Sequence, residues 1–158
     1  MSETSDEEIS VAIKPKIVTG IMSVEKLMDD KKFPWFRKKF NAYKPDATSA
    51  AFLKNMKKHL SFIVFAATWN HDSKELVPKF SKTMNRAGIE SEKIILCFMD
   101  TDKKSKESLG VKFKVQELPT VIVLYKDRPL MKIENEIKVS IETDIADRMR
   151  KMKGQIIF

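Results

Sequence analysis

Cysteine is nearly absent from this chain of 158 residues, in which Cys97 is the only one. A single cysteine excludes an intrachain disulfide and a cysteine-rich zinc site. It also excludes a redox cycle in which two thiols of one chain are oxidised to a disulfide and reduced again. Cys97 lies in an apolar run, where a cysteine usually behaves as a small buried hydrophobe with an unreactive thiol. The alternative, a reactive or regulatory thiol, requires solvent exposure.

Long apolar runs are missing as well. None approaches the roughly 20 residues that a membrane-spanning helix requires, so we expect no membrane association. Residues 1–10, MSETSDEEIS, are polar and acidic, which is the opposite of a secretory signal. We therefore expect a cytoplasmic protein with a flexible acidic tail over residues 1–10.

Arginine is scarce, since the 30 basic residues comprise 25 Lys and 5 Arg, and the net charge is +8. Phosphate-reading sites rely on the planar guanidinium of Arg, whereas a Lys-rich surface mainly serves solvation. We therefore expect no nucleic-acid partner. Polyanion binding by the Lys-rich N-terminal helices stays an alternative, because basic residues cluster at 31–32, 37–39 and 57–58.

The spacing of apolar residues predicts one α/β domain over residues 11–158. An extension with helices covers 11–59 and begins with an extended edge segment, and a core of strands and helices covers 60–158. Phe36, Phe40 and Tyr43 recur at helical spacing. We interpret these aromatic residues as a core-facing surface of the extension rather than as a stacking platform for bases.

The core is organised around residues 61–78, SFIVFAATWNHDSKELVP. The apolar first half predicts a strand that is buried on both faces. The second half predicts a helix that contains Pro78 and ends at Gly88. Strand and helix are joined by a polar turn that begins at Trp69 and has no glycine.

This turn lacks a nucleophile with a base beside it. Asp72, with Glu75 three residues later, predicts a capping box at the helix start. Consecutive residues at a helix start point about 100° apart, so His71, Asp72 and Ser73 cannot align as a catalytic triad.

The order of elements resembles the thioredoxin family. Trp69 stands directly before the window that carries Cys-x-x-Cys in thioredoxins, and Pro78 falls on the helix-kinking proline of that family. Leu118-Pro119-Thr120 is similar to its cis-proline loop. The stretch DSKELVP at 72–78 is similar to a bacterial thioredoxin-like branch with a Trp-Cys-Gly-Asp-Ser-Lys turn. The resemblance implies a thioredoxin-like three-layer fold, in which helices flank a central mixed sheet, preceded here by the helical extension.

The chain departs from the family at the residues that carry its chemistry. Asn70 and Ser73 occupy the positions of the attacking and resolving cysteines, and His71 replaces a small residue. Val64 replaces the buried aspartate that assists proton transfer. Because an amide cannot attack a disulfide, dithiol oxidoreductase chemistry is excluded. Oxidoreductase-related activity through Cys97 alone is the enzymatic alternative.

Other residues with chemical potential have simpler interpretations. His71 is expected to be exposed and to contact solvent or a partner rather than to act as a lone acid or base. No spacing of His, Cys and carboxylates supports a metal site, and no cofactor is expected. For Trp69 two interpretations stay open, namely contact with a bound peptide and packing against the strand end at Asp100.

The sequence therefore predicts a non-catalytic interaction module whose partner is a protein or an extended peptide. The expected binding surface combines the degenerate active-site turn with the proline loop; its residues are Trp69, Asn70, His71, Asp72, Ser73, Leu118, Pro119 and Thr120. The sequence pattern provides no prediction of the oligomeric state.

Overall fold

The computed structural model describes residues 18–102, 109–134 and 136–152. The predicted tail and most of the predicted extended segment lie outside these ranges. The strands are β1 (Gly20–Met22), β2 (Leu60–Ala66), β3 (Ile94–Phe98), β4 (Thr120–Tyr125) and β5 (Arg128–Glu134). The helices are α1 (Val24–Asp29), α2 (Pro34–Ala42), α3 (Ala47–Met56), α4 (His71–Arg86), α5 (Leu109–Lys112) and α6 (Ile141–Lys151), with a 3-10 turn at Ser91–Lys93.

A mixed sheet of five strands forms the centre of the fold, in the order β1-β3-β2-β4-β5. Strand β2 pairs in parallel with β3 and antiparallel with β4, and the edge strands β1 and β5 are antiparallel to their neighbours. Alternate residues of β2 enter different apolar clusters: Phe62 and Val64 belong to one, and Ile63 and Phe65 to the other. The predicted α/β class and the strand buried on both faces are confirmed.

Side-chain caps determine where the longer helices begin. Ser23, Asp46, Asn70 and Ser140 each accept a hydrogen bond from a backbone N–H three residues later. The capping box expected at Asp72 is wrong. Asn70 holds the extended backbone of a capping residue, so α4 begins at His71 and Asp72 already lies in its first turn.

The aromatic residues of the extension pack inward, as predicted. Phe36 is fully buried in the larger core cluster and its ring stacks on that of Phe40, with centroids 5.8 Å apart. An ion pair between Lys39 and Glu75 ties α2 to α4. The helices of the extension therefore cover one side of α4 and position the chain that borders the site described below.

Over the ranges that the structure covers, no helix has both the length and the apolar character needed to cross a membrane.

Candidate functional site

The degenerate active-site turn connects the end of β2 to the start of α4. The side-chain oxygen of Asn70 accepts a hydrogen bond from the backbone N–H of Ser73 at 2.7 Å. The buried hydroxyl of Ser73 in turn accepts one from the backbone N–H of Ala67 at 3.1 Å. Of the two positions at which the family resemblance implies a cysteine, one therefore carries the side chain that caps α4, and the other carries a side chain that ties this helix to the residue after β2.

Trp69 is partly buried beside this turn. Its indole N–H donates a hydrogen bond to the carbonyl oxygen of Met99 at 3.1 Å, and its ring packs on the second core cluster, which contains Phe65 and Leu118. Of the two interpretations left open for Trp69, packing against the strand end after β3 is the one that the structure shows. A peptide contact through its exposed remainder stays a prediction.

The proline loop contributes less side-chain surface than the sequence indicated. The Leu118–Pro119 peptide bond is cis. Leu118, Pro119 and Thr120 are all buried, and the Thr120 hydroxyl donates to the carbonyl oxygen of Glu117 at 2.6 Å. Within this loop only Pro119 lines the groove that borders the turn, and it does so with little exposed surface.

That groove has a volume of about 330 Å³ and runs between the start of α4, the proline loop and the segment that precedes α6. We call it the turn groove; its lining residues are Tyr43, Asp72, Glu75, Leu76, Lys79, Pro119, Ile137, Val139, Ser140 and Ile141. Of the predicted site residues, Asp72 and Pro119 belong to it. Asn70 and His71 lie at the neighbouring helix start but are not part of its lining.

Sequence reasoning missed Ile137 and Val139, which are the exposed apolar part of the turn groove. Val139 is 75% exposed and Ile137 is 39% exposed. A signal was available, because both alternate with the charged Glu136 and Lys138 just before the helix cap at Ser140. Their exposure gives the groove an apolar rim beside Pro119.

The opposite wall of the turn groove is polar and largely neutralised. Glu75 forms ion pairs with Lys39 and Lys79, and Asp72 at the helix start is exposed. The hydroxyl of Tyr43 donates to the buried carboxylate of Glu142 at 2.6 Å. Burial, together with this carboxylate, raises the pKa of Tyr43 above its ordinary value of 10.0, so the phenol stays protonated at neutral pH.

The residues with chemical potential are placed as follows. Cys97 lies within β3 and is 0% exposed, so the expectation of a buried thiol is confirmed. Val64 is buried where the family resemblance implies an aspartate. His71 is exposed, as expected. Among the residues in the described ranges, no group of three or more His, Cys, Asp or Glu side chains is placed to hold a metal ion.

The basic residues that we grouped at the N-terminal helices separate in the structure. Lys31, Arg37 and Lys38 border one hollow that they share with Asp29 and Asp30, and Arg37 forms an ion pair with Asp29. The pair 57–58 lies instead beyond the end of α3 and lines a different hollow.

A five-strand mixed sheet between helices, with a helix starting at a polar turn opposite a cis-proline, defines a thioredoxin-fold protein. The thioredoxin family model matches residues 44–150. The chain therefore belongs to the thioredoxin family, and its single cysteine shows that it lacks the two active-site cysteines. The matched region begins ahead of α3, whereas we drew the boundary of the core at residue 60. The division into tail, extension and core stays a prediction.

Solved structures of thioredoxins are similar to this chain. Thioredoxin-2 of a malaria parasite, a component of its protein secretion machinery, is 26% identical; the match covers 59% of this chain and 82% of that one, with a TM-score of 0.44. Deadhead, a germline-specific thioredoxin of Drosophila melanogaster, is 23% identical, with 63% and 87% covered and a TM-score of 0.42. A thioredoxin of Fasciola hepatica is 17% identical, with 64% and 88% covered and a TM-score of 0.42.

No curated protein matches the chain. The resemblance of residues 72–78 to a bacterial branch stays a prediction.

Proposed function

We propose that this chain is a redox-inactive member of the thioredoxin family that binds an extended segment of a partner protein in the turn groove. The observation that carries the proposal is the exposed apolar rim of Ile137 and Val139 beside Pro119. Burying such side chains against a partner removes apolar surface from water, which is the main favourable term in association.

The side chains of the degenerate active-site turn support the same proposal, because they include no thiol. Thiol exchange needs a thiolate at the helix start, and this chain has the Asn70 amide there. The amide and the Ser73 hydroxyl are both engaged in hydrogen bonds that hold the turn. What the helix start offers a partner is therefore shape, the exposed His71 and the carboxylate of Asp72 at the groove.

The polar wall indicates which peptides would fit. Asp72 forms no ion pair with any residue in the described ranges, whereas Glu75 is neutralised by two lysines. We therefore expect the bound segment to place an apolar side chain between Pro119 and Val139 and a basic residue next to Asp72. An extended segment suits the narrow groove because alternate side chains of a strand point the same way.

Selection from a displayed random-peptide library tests this function. Peptides selected on the wild-type chain should share an apolar residue with a basic neighbour. Synthetic versions should bind with an affinity that is lost in the variant Ile137→Asp/Val139→Asp. The matched control is Val111→Asp, since Val111 is 78% exposed in α5 and does not line the groove. Equal binding by the groove variant and the control would refute the groove as the site.

Redox inactivity is tested separately by reduction of insulin disulfides with dithiothreitol as the electron donor. Wild-type protein should not accelerate precipitation of the insulin chains above the rate without protein. Acceleration that disappears in Cys97→Ala would show a one-thiol activity and would overturn this half of the proposal.

A further inference from the structure

A second surface of the protein carries concentrated positive charge at the end of the sheet away from the turn. Strand β2 starts at this end and finishes at the turn, and α4 starts at the turn and finishes here. Five cations lie in two hollows here and form what we call the basic end: Lys54, Lys57, Lys58, Arg86 and Lys93. They come from the end of α3, the end of α4 and the 3-10 turn before β3, so only the tertiary structure assembles them.

The charges of the basic end are not neutralised by neighbours. None of the five forms an ion pair with another described residue, and Glu90 is the only carboxylate that lines either hollow. By contrast, lysines bordering the turn groove pair with Glu75.

Helix C-termini attract cations, and this attraction accounts for Lys54 and Arg86 in the last turns of α3 and α4. The Lys93 ammonium is held in a similar way, because it donates a hydrogen bond to the carbonyl oxygen of Lys58, just past the end of α3, at 3.4 Å. These contacts do not explain why Lys57, Lys58 and Lys93 line one hollow. Placing like charges together costs energy unless an anion offsets them.

The surroundings of the basic end distinguish between anionic partners. The cores of protein interfaces are built on aromatic and apolar anchors and are poor in Lys. The exposed large hydrophobic residues of the described chain are Ile21, Val111, Ile137 and Val139, and none of them lines these two hollows. Apart from the five cations and Glu90, the lining consists of Pro45, Ala47, Ala50, Ala51, Gly88 and Ile89, which include no aromatic anchor. A cationic surface without an aromatic anchor matches a chain of phosphates, each of which a Lys contacts as a point charge.

Although the scarcity of Arg predicts no nucleic-acid partner, we propose that the basic end binds the phosphate backbone of a nucleic acid without reading its sequence. The side chains assembled there are four lysines and one arginine, which neutralise phosphates and release counterions. Among the described residues, Asn and Gln, which read adenine, line neither hollow, and a single arginine, Arg86, is present to form a bidentate contact with guanine. This site is independent of the turn groove, so either can fail without the other.

Fluorescence anisotropy with a labelled DNA duplex of mixed sequence tests the proposal. Binding by the wild type should weaken steeply between about 50 and 200 mM salt. In Lys57→Gln/Lys58→Gln/Lys93→Gln the affinity should fall, and the slope of log K against log salt should drop by about 3, or about 1 for each lost phosphate contact. The matched control, Lys31→Gln/Lys32→Gln/Lys38→Gln, changes the net charge equally on the N-terminal helices and should bind like the wild type.

Each other outcome overturns the proposal. Absence of binding at the lowest salt excludes a nucleic-acid site. Equal losses of DNA affinity in the two triple variants would indicate a response to net charge rather than a site. A loss of affinity in the control variant alone would place the site at α1 and α2. Polyglutamate that binds as tightly as the duplex and with the same salt slope would indicate a surface for any polyanion. Thermal unfolding of each variant checks that these changes leave the fold intact.

Discussion

The hydroxyl of Ser73, which occupies the position where the family resemblance implies the second cysteine, accepts a hydrogen bond from the backbone N–H of Ala67 at 3.1 Å. Ala67 lies just past the end of β2, where its N–H has left the sheet ladder, and both residues are buried. A serine at this position thus satisfies a backbone donor that the fold would otherwise leave without a partner.

Removal of this hydroxyl should destabilise the protein. In Ser73→Ala the N–H of Ala67 is left buried and unsatisfied, which costs about 1–3 kcal/mol in the free energy of unfolding. Urea unfolding measures the change. Ser81→Ala is a matched control in the same helix, because Ser81 is also buried but its hydroxyl has no hydrogen-bond partner among the described residues. The control should be as stable as the wild type or more so, and equal losses in both variants would contradict the role of Ser73.

Cys97 should react with a thiol reagent only when the protein opens. Its side chain is 0% exposed and lies in a strand with neighbours on both sides, so modification needs unfolding of β3. Unfolded molecules are rare at equilibrium, and labelling should be slower than in denaturant by about three orders of magnitude or more.

The control for this labelling is Val111→Cys in a Cys97→Ala background, which places a thiol at a position that is 78% exposed. The introduced thiol should react in the native state about as fast as in denaturant. Any remaining difference in rate should reflect only a difference in the pKa of that thiol. Rapid labelling of native wild-type Cys97 would instead support the one-thiol enzymatic alternative.

Tyr43 and Glu142 should make stability depend on alkaline pH. Burial and the Glu142 carboxylate raise the pKa of Tyr43 in the folded state above the unfolded value of 10.0. Folding thus favours the protonated phenol. Its contribution to the free energy of unfolding is fully present below about pH 10 and is lost as the pH rises further. At neutral pH, Tyr43→Phe should lower the free energy of unfolding by about 1.5 kcal/mol, the lower end for a hydrogen bond to a charged group, because water reaches the half-buried Tyr43 and screens the contact.

Urea unfolding at a series of pH values checks this dependence. The difference in free energy of unfolding between wild type and Tyr43→Phe should be constant near neutral pH and should narrow above pH 10. Other groups titrate in the same range, but they do so in both proteins and cancel in the difference. When both proteins also carry Glu142→Gln, the effect of Tyr43→Phe on the free energy of unfolding should change less above pH 10. The carboxylate charge that opposes ionisation of Tyr43 is then gone. A constant difference across the whole range would show that the hydroxyl makes no such contact.

Several features of this protein could be predicted from local sequence because their physical causes are local. The apolar run before Trp69, the cap at Ser140 and the stop at Gly88 determine elements through hydrogen bonding and periodicity within a few residues. The cap at Asn70 rather than Asp72 was not predicted, since Asn and Asp are both good capping residues and the backbone angles decide between them. The single cysteine excludes dithiol chemistry by composition alone.

Both proposed surfaces, in contrast, were decided only by tertiary structure. The turn groove combines Pro119 with Val139, which are separated by the whole of β4 and β5. The basic end brings Lys57 close to Gly88, with its ammonium 3.4 Å from where a side chain on that glycine would begin. The chain by itself determined the family, the strand–turn–helix unit and the loss of the thiols. Sheet order and helix packing decide which exposed residues share a surface, because they bring together residues that are far apart in sequence. The periodicity of the sequence does not encode this arrangement.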